Sequence, residues 1–311
     1  MKVKDKKNNE LRKSIALFDF RKPLVILLAL ALSFGLKAQN PGKTITISGS
    51  RFANSLVEKW ANEYVKANAG VSIQFVKGDV QGDLSLTVSN DEKSDKKFVN
   101  VAQIAVLPVV SEKNTIFGKQ LKNGVTREDL KNVFIEGTLN HTDEEVKASN
   151  AFTVYTQPSH SATTKVVLSY LGGSVSEIPG VIVTGDDKYL IESVLSDSTG
   201  VSYGNLGFIY DLASRAPVKG IRILPIDPDN NGKLKKEEQI YDNLDQLMTF
   251  LENTKPKTIP TSYVGFSFNQ KESNAWVADF VNWVKLSGQQ FNHQYGFLKA
   301  SDEKDPALTQ K

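Results

Sequence analysis

The sequence predicts an α/β fold, and three neighbouring stretches carry that expectation. Thr44 to Ser48 alternate as a strand and run straight into Gly49-Ser50. Phe52, Leu56, Trp60 and Tyr64 then recur every four residues with Val57, Ala61 and Val65 beside them, which makes one broad apolar helix face. Val71, Ile73 and Phe75 alternate as a second strand. Strand, helix and strand in succession form a βαβ unit, which places two strands in parallel.

The pattern continues along the chain. Asn68-Ala69-Gly70 stops the first helix, and Asp83 to Thr87 read as another strand. The polar, lysine-rich stretch from Asn90 to Lys97 reads as a surface loop. A nearly unbroken apolar run from Val99 to Val110 suits a strand covered on both faces. Thr126 is placed to cap a helix whose first turn holds Glu128 and Asp129, where the helix dipole favours acidic groups. Ala151 to Tyr155 predict a strand, Lys165 to Leu171 a helix closed by Gly172-Gly173, and Ile221 to Ile226 a further strand.

The N-terminus is organised differently. It is basic from Lys2 to Lys22, apolar from Leu24 to Leu36, and then reads Lys37-Ala38-Gln39. That pattern predicts a signal peptide over 1–38, cleaved after Ala38, with an uncleaved anchor as the alternative. The apolar run falls short of the roughly 20 residues that span a bilayer. The chain has no cysteine, so lipid attachment through an N-terminal Cys, disulfides and thiolate metal sites are excluded.

The charge divides along the same line. The whole chain has 38 Lys and Arg against 35 Asp and Glu; residues 1–38 hold nine and three of these, leaving 29 and 32, a net of −3. The basic balance belongs to the leader, and composition gives no support for nucleic-acid binding. The 273 residues after the leader suffice for two lobes of ordinary size.

Several segments together resemble a known family. They are the opening strand-Gly49-Ser50-helix, the closing Phe280-Val281-Asn282-Trp283-Val284-Lys285-Leu286-Ser287-Gly288-Gln289-Gln290, and the tail Tyr295-Gly296-Phe297-Leu298. Ile104 to Val110 with Asn114, Val133-Phe134-Ile135-Glu136-Gly137, and Val201 to Ile209 add to them. This set resembles the phosphate-binding receptors of ABC importers, which are type II periplasmic binding proteins. The resemblance implies two lobes, each a mixed sheet flanked by helices. Lobe 1 would comprise 39–103 plus 261–301 and lobe 2 104–260, with 302–311 a polar, disordered tail. It also implies a monomeric extracytoplasmic receptor, not an enzyme, that closes around phosphate or a related small oxyanion and delivers it to an ABC transporter permease.

By the same resemblance the ligand would sit between two helix starts, Ser50-Arg51 and Ser161-Ala162-Thr163-Thr164, with Thr87, Gln157 and His160 nearby. Backbone N–H groups and hydroxyls at such a place donate to an anion while the dipoles favour its charge. The plainer reading makes Ser50 and Ser161 simple N-caps. The chain departs from the family where Gln157 replaces an Arg, Val88 replaces a charged residue, and Lys77 to Gly82 replace a Gly-Ser-Gly loop. Arg51, His160 and Lys77 are the cations that could compensate.

One motif stands apart from the resemblance. Asp227-Pro228-Asp229-Asn230-Asn231-Gly232-Lys233-Leu234-Lys235-Lys236-Glu237-Glu238 matches the twelve-residue calcium loop, with oxygen ligands at positions one, three and five, Gly at six and Glu at twelve. Asp227, Asp229, Asn231, the Lys233 carbonyl and Glu238 would hold a structural calcium. A strand precedes it where a paired EF-hand has a helix, and a solvated Asp/Asn/Gly turn is the alternative. A calcium-stabilised surface or sensor module of the same fold, without transport, is the competing functional class.

Catalytic patterns are missing from the sequence. There is no Gly-x-Ser-x-Gly, no His-Glu-x-x-His and no phosphate loop. Ser161 follows His160, but side chains adjacent in sequence rarely meet as nucleophile and base.

Overall fold

The computed structural model describes residues 43–49, 51–77, 80–88, 96–141, 144–147, 151–172, 176–269 and 274–300. The predicted leader, Ser50 and the tail 302–311 lie outside the described residues, as does most of the lysine-rich stretch 90–97. Lys43–Lys311 cluster as one compact unit. No helix among the described residues is long and apolar enough to cross a membrane.

The opening βαβ unit forms as its periodicity requires. Strand β1 (Lys43–Gly49) leads through a 3-10 turn (Arg51–Ala53) into helix α1 (Asn54–Ala67), then β2 (Val71–Phe75) and β3 (Leu84–Val88). Both β2 and β3 pair with β1 in parallel. The four-residue repeat of α1 puts Leu56, Val57, Trp60 and Tyr64 on the buried face.

Strand β4 (Lys97–Ser111) organises the molecule, and from Val101 onward all but Gln103 are buried. Its Lys97–Ala105 portion pairs antiparallel with β11 (Thr261–Phe268), and Val106–Val110 pair antiparallel with β9 (Gly200–Asn205). The sheet order is β2-β1-β3-β11-β4-β9-β7-β8, with β7 spanning Thr153–Thr156 and β8 Val181–Ile182. A short strand, β10 (Ile221–Ile223), pairs with the end of β4. A separate hairpin joins β5 (Thr138–His141) and β6 (Glu144–Lys147). The parallel expectation therefore holds at the two ends, while the centre is antiparallel. The predicted strand 221–226 is shortened to its first three residues.

The register fixes where the strand ends point. Strands β1 and β3 run in the same sense as β4, because β11 lies antiparallel to both β3 and β4. Strands β7 and β9 run in the opposite sense. The C-terminal ends of β1 and β3 thus point toward those of β7 and β9. Between them lies the line where β4 changes partners, with Ala105 opposite Thr261 and Val106 opposite Asn205. Open α/β sheets place ligands outside the carboxyl ends of their strands, and here two such edges face each other.

The helices complete the core. Helix α2 spans Gly118–Asn123, and α3 (Arg127–Lys131) continues as a π turn (Asn132–Glu136) that ends at a left-handed Gly137. Thr126 caps α3 as predicted, in a reciprocal box with Asp129. Helices α4 (Ala162–Leu171), α5 (Asp187–Ser196), α6 (Leu206–Ile209), α7 (Leu244–Thr254) and α8 (Ala275–Leu286) follow.

The closing motif works as a clasp. Trp60 Nε1 donates to Gly288 O at 3.0 Å, and Gln289 Nε2 donates to Val101 O at 2.9 Å. Gln103 and Leu298 exchange backbone hydrogen bonds at 3.0 Å in both directions. Phe297 packs on Phe52 with ring centroids 6.1 Å apart. Gly288, Gln289, Phe297 and Leu298, singled out by resemblance, thereby hold the segment 288–298 against β4, α1 and the turn that precedes it.

Candidate functional site

The two facing strand edges carry the residues named from the sequence. Arg51 follows the end of β1 and Gln157 the end of β7. The segment Ser159 to Ser161 turns into α4, and α5 starts at Asp187 after the edge strand β8. Helix α4 lies against β3, β11 and β4, so it reaches the line where β4 changes partners.

The start of α4 does not behave as a simple cap. The Ser161 hydroxyl makes no cap hydrogen bond to the helix backbone. It donates instead to Thr164 Oγ1 at 2.8 Å. Thr164 Oγ1 in turn lies 2.7 Å from the Tyr203 hydroxyl, which lies 2.7 Å from Thr156 Oγ1 and accepts from Gln157 N at 3.3 Å. The first-turn N–H groups of α4 are left without a side-chain cap, the condition in which a helix start accepts an anion.

A carboxylate that the sequence reading missed stands beside this turn. Asp187 is 7 % exposed, and its Oδ2 accepts from Thr163 Oγ1 at 2.5 Å and from Asn205 Nδ2 at 2.7 Å. The nearby Gln157 amide also favours its charged form. Burial pushes the Asp187 carboxyl above the usual carboxylate range, against the pull of these donors. Gln157 Nε2 reaches Gly185 O at 3.4 Å, while its Oε1 is buried with no hydrogen-bond partner. The second edge thus offers backbone donors together with a negative charge and an unused acceptor.

The other named residues are placed as follows. Arg51 lies 3.5 Å from Asp186 Oδ1, with 68 % of its side chain exposed. That ion pair joins the end of β1 to the start of α5 and brings the two edges together. Thr87 is half-buried and donates to Val88 O at 3.2 Å, and Val88 is buried in the sheet. His160 and Lys77 are exposed. The structure therefore gathers Gln157, Ser161 and Thr164 in one network around Tyr203, with Thr163 beside it on Asp187 and Arg51 reaching across to Asp186. His160 stands outside that network.

In the segment named as a metal loop, side-chain oxygens turn back onto the backbone. Asp227 is buried and its carboxylate accepts from the N–H groups of Asp229, Asn230 and Gly232, the last at 2.6 Å. Gly232 has φ +81°, a conformation that glycine alone adopts without cost. Asn231 N donates to Asp229 Oδ1 and Lys233 N to Asn231 Oδ1. Carboxylate oxygens of Asp227, Asp229 and Glu238 lie within 4.8 Å of one another. The Lys235 ammonium pairs with Asp229 and lies 3.7 Å from Glu238 Oε1. The loop leads into a 3-10 turn (Lys236–Glu238), and α7 begins only at Leu244.

No protein-family model and no curated protein matches the sequence. Solved structures match in fold. A candidate phosphate ABC transporter substrate-binding protein with bound phosphate, from Clostridium perfringens, superposes with a TM-score of 0.60 at 12% identity, over 83% of this chain and 100% of that one. The chain has the fold of a periplasmic binding protein. An ABC-type phosphate transport receptor from Vibrio cholerae gives 0.56 at 15% identity, over 82% and 99%. An OxyR variant from Corynebacterium glutamicum with bound hydrogen peroxide gives 0.50 at 10% identity, over 86% and 72%. The same fold therefore occurs in transport receptors and in a peroxide-bound OxyR variant, so the fold alone does not decide the function.

Proposed function

We propose that this protein is an extracytoplasmic solute receptor that closes around a small oxyanion, phosphate or a relative such as molybdate, and passes it to an ABC importer. The observation that carries this reading is the convergence of two strand edges, with the start of α4 left uncapped by its own serine. Ser161 to Thr164 would supply backbone and hydroxyl donors at one edge, and Ser50, which follows β1 in the sequence, would supply them at the other. Approach of the edges is a hinge motion, and Arg51 and Asp186 are placed to close it. The leader pattern supports export, and the absence of a catalytic pattern supports binding without chemistry.

Asp187 shapes which oxyanion fits. Its charge stands against a fully ionised ligand, and neither Gln157 nor Val88 brings a cation to offset it. Affinity for phosphate is then lower than an arginine-bearing cleft would give. Titration calorimetry of the purified protein with phosphate, sulfate and molybdate tests this reading: saturable heat with at least one of them supports it, and none with any overturns it.

The Thr163–Asp187 hydrogen bond favours a second reading. If Asp187 permanently satisfies the donors of this edge, the cleft is closed to anions and the fold serves as a surface or sensor module. Absence of oxyanion binding together with retained stability would select that reading.

The loop from Asp227 to Glu238 fits a structural calcium in either case. Asp227, Asp229, Asn231, Glu238 and the Lys233 carbonyl would hold it, and the Lys235 ammonium would have to swing away from Asp229. The ion would fix the loop against β10 and Val125, whose carbonyl already accepts from Asp227 N at 2.9 Å.

A further inference from the structure

A cavity of about 580 Å³ opens between β10, helix α2 and the segment that carries the acidic loop, away from the facing strand edges. Its size falls in the range of small-molecule sites, about 300–1,000 Å³. Ile221, Ile223, Pro225 and Leu234 give it an apolar wall. Two cations, Arg222 and Lys122, line it together with one carboxylate, Asp242, so its charge is net positive.

Arg222 is the informative member. One guanidinium nitrogen donates to Asn114 O at 2.6 Å, which fixes the group in place. Its Nε–H is buried and has no hydrogen-bond partner. A buried donor without an acceptor is costly, and more so on a charged group. Arg222 lines the cavity, so a ligand carboxylate would pair with its fixed guanidinium charge from the cavity side, while an exposed Lys122 adds attraction there. Apolar surface beside a fixed guanidinium matches a molecule with an apolar body and one carboxylate.

We propose that this cavity is a second ligand site, for a small amphipathic organic acid. The site is separate from the oxyanion cleft and does not depend on it. Because Leu234 is position eight of the acidic loop and Gln239 follows its last glutamate, the loop forms part of the cavity wall.

The test uses octanoate as the probe, with octanamide as the uncharged control, in titration calorimetry of the purified protein. Octanoate should bind saturably in the micromolar to millimolar range, and octanamide much more weakly. Lys122→Glu, an exposed change that leaves the core intact, should weaken octanoate at least fivefold, and Arg222→Met more. Both variants should bind oxyanions as the wild type does, which separates this site from the cleft. No saturable octanoate binding, or equal binding by Lys122→Glu, Arg222→Met and wild type, overturns the proposal.

Discussion

Thr163 donates its hydroxyl to Asp187 at 2.5 Å, so the first turn of α4 holds the carboxylate that opens α5. Both groups are buried, Thr163 completely. A hydrogen bond to a charged group is worth about 1.5–3 kcal/mol, and an ionised carboxylate stripped of a donor pays for its burial. Thr163→Val should therefore lower stability by about that amount in denaturant unfolding at neutral pH.

The same pair predicts a pH dependence. Burial raises the Asp187 carboxyl in the folded protein above its unfolded value, so the folded state holds this proton more tightly. The resulting stability is fully present below the unfolded value and is lost as pH rises through the raised folded value. Asp187→Asn should flatten that part of the stability profile, and the loss in Thr163→Val should shrink in acid. A variant profile parallel to that of the wild type would contradict the assignment.

Asp187 also stands beside the proposed anion. A unit charge about 4 Å away at an effective dielectric near 20 costs about 4 kcal/mol, and a partly hydrated cleft lessens this. Asp187→Asn should strengthen oxyanion binding at least tenfold, read by calorimetry. Gln157→Arg should act in the same direction, by neutralising Asp187 and adding a forked donor. Unchanged affinity in both would place Asp187 outside the reach of the ligand.

For the acidic loop, an ion that binds only the folded state raises stability by mass action. Calcium should raise the melting temperature and a chelator lower it, and Glu238→Gln should abolish the difference. Lys235→Met should strengthen the effect, because it removes the ammonium that competes for Asp229. Identical melting in calcium and chelator would leave the loop a turn held by Lys235.

Local patterns were readable in advance, and long-range pairings were not. The four-residue repeat from Phe52 to Tyr64, the alternation of β1 and β2, and the Thr126-to-Asp129 cap each follow from neighbours in the chain. The acidic loop was legible for the same reason, since Asp227, Gly232 and Glu238 lie within twelve residues. Strand direction at the centre depends on β11 returning from far along the chain to pair with β4, and no local period records that. Asp187 escaped notice because its partners, Thr163 and Asn205, come from separate segments of the chain. The adjacent pair Asp186-Asp187 at a helix start was the available sign; an acidic first turn is so common that it points to no site.

The central claim is that two facing strand edges grip an oxyanion. Calorimetric titration of phosphate and molybdate into wild type, Ser50→Ala and Ser161→Ala tests it most directly. The account predicts one saturable site in the wild type and a loss of about tenfold to a hundredfold in each variant, the worth of a hydrogen bond to a charged group. Wild-type affinity in both alanine variants, or no binding of either anion by any of the three proteins, would contradict it.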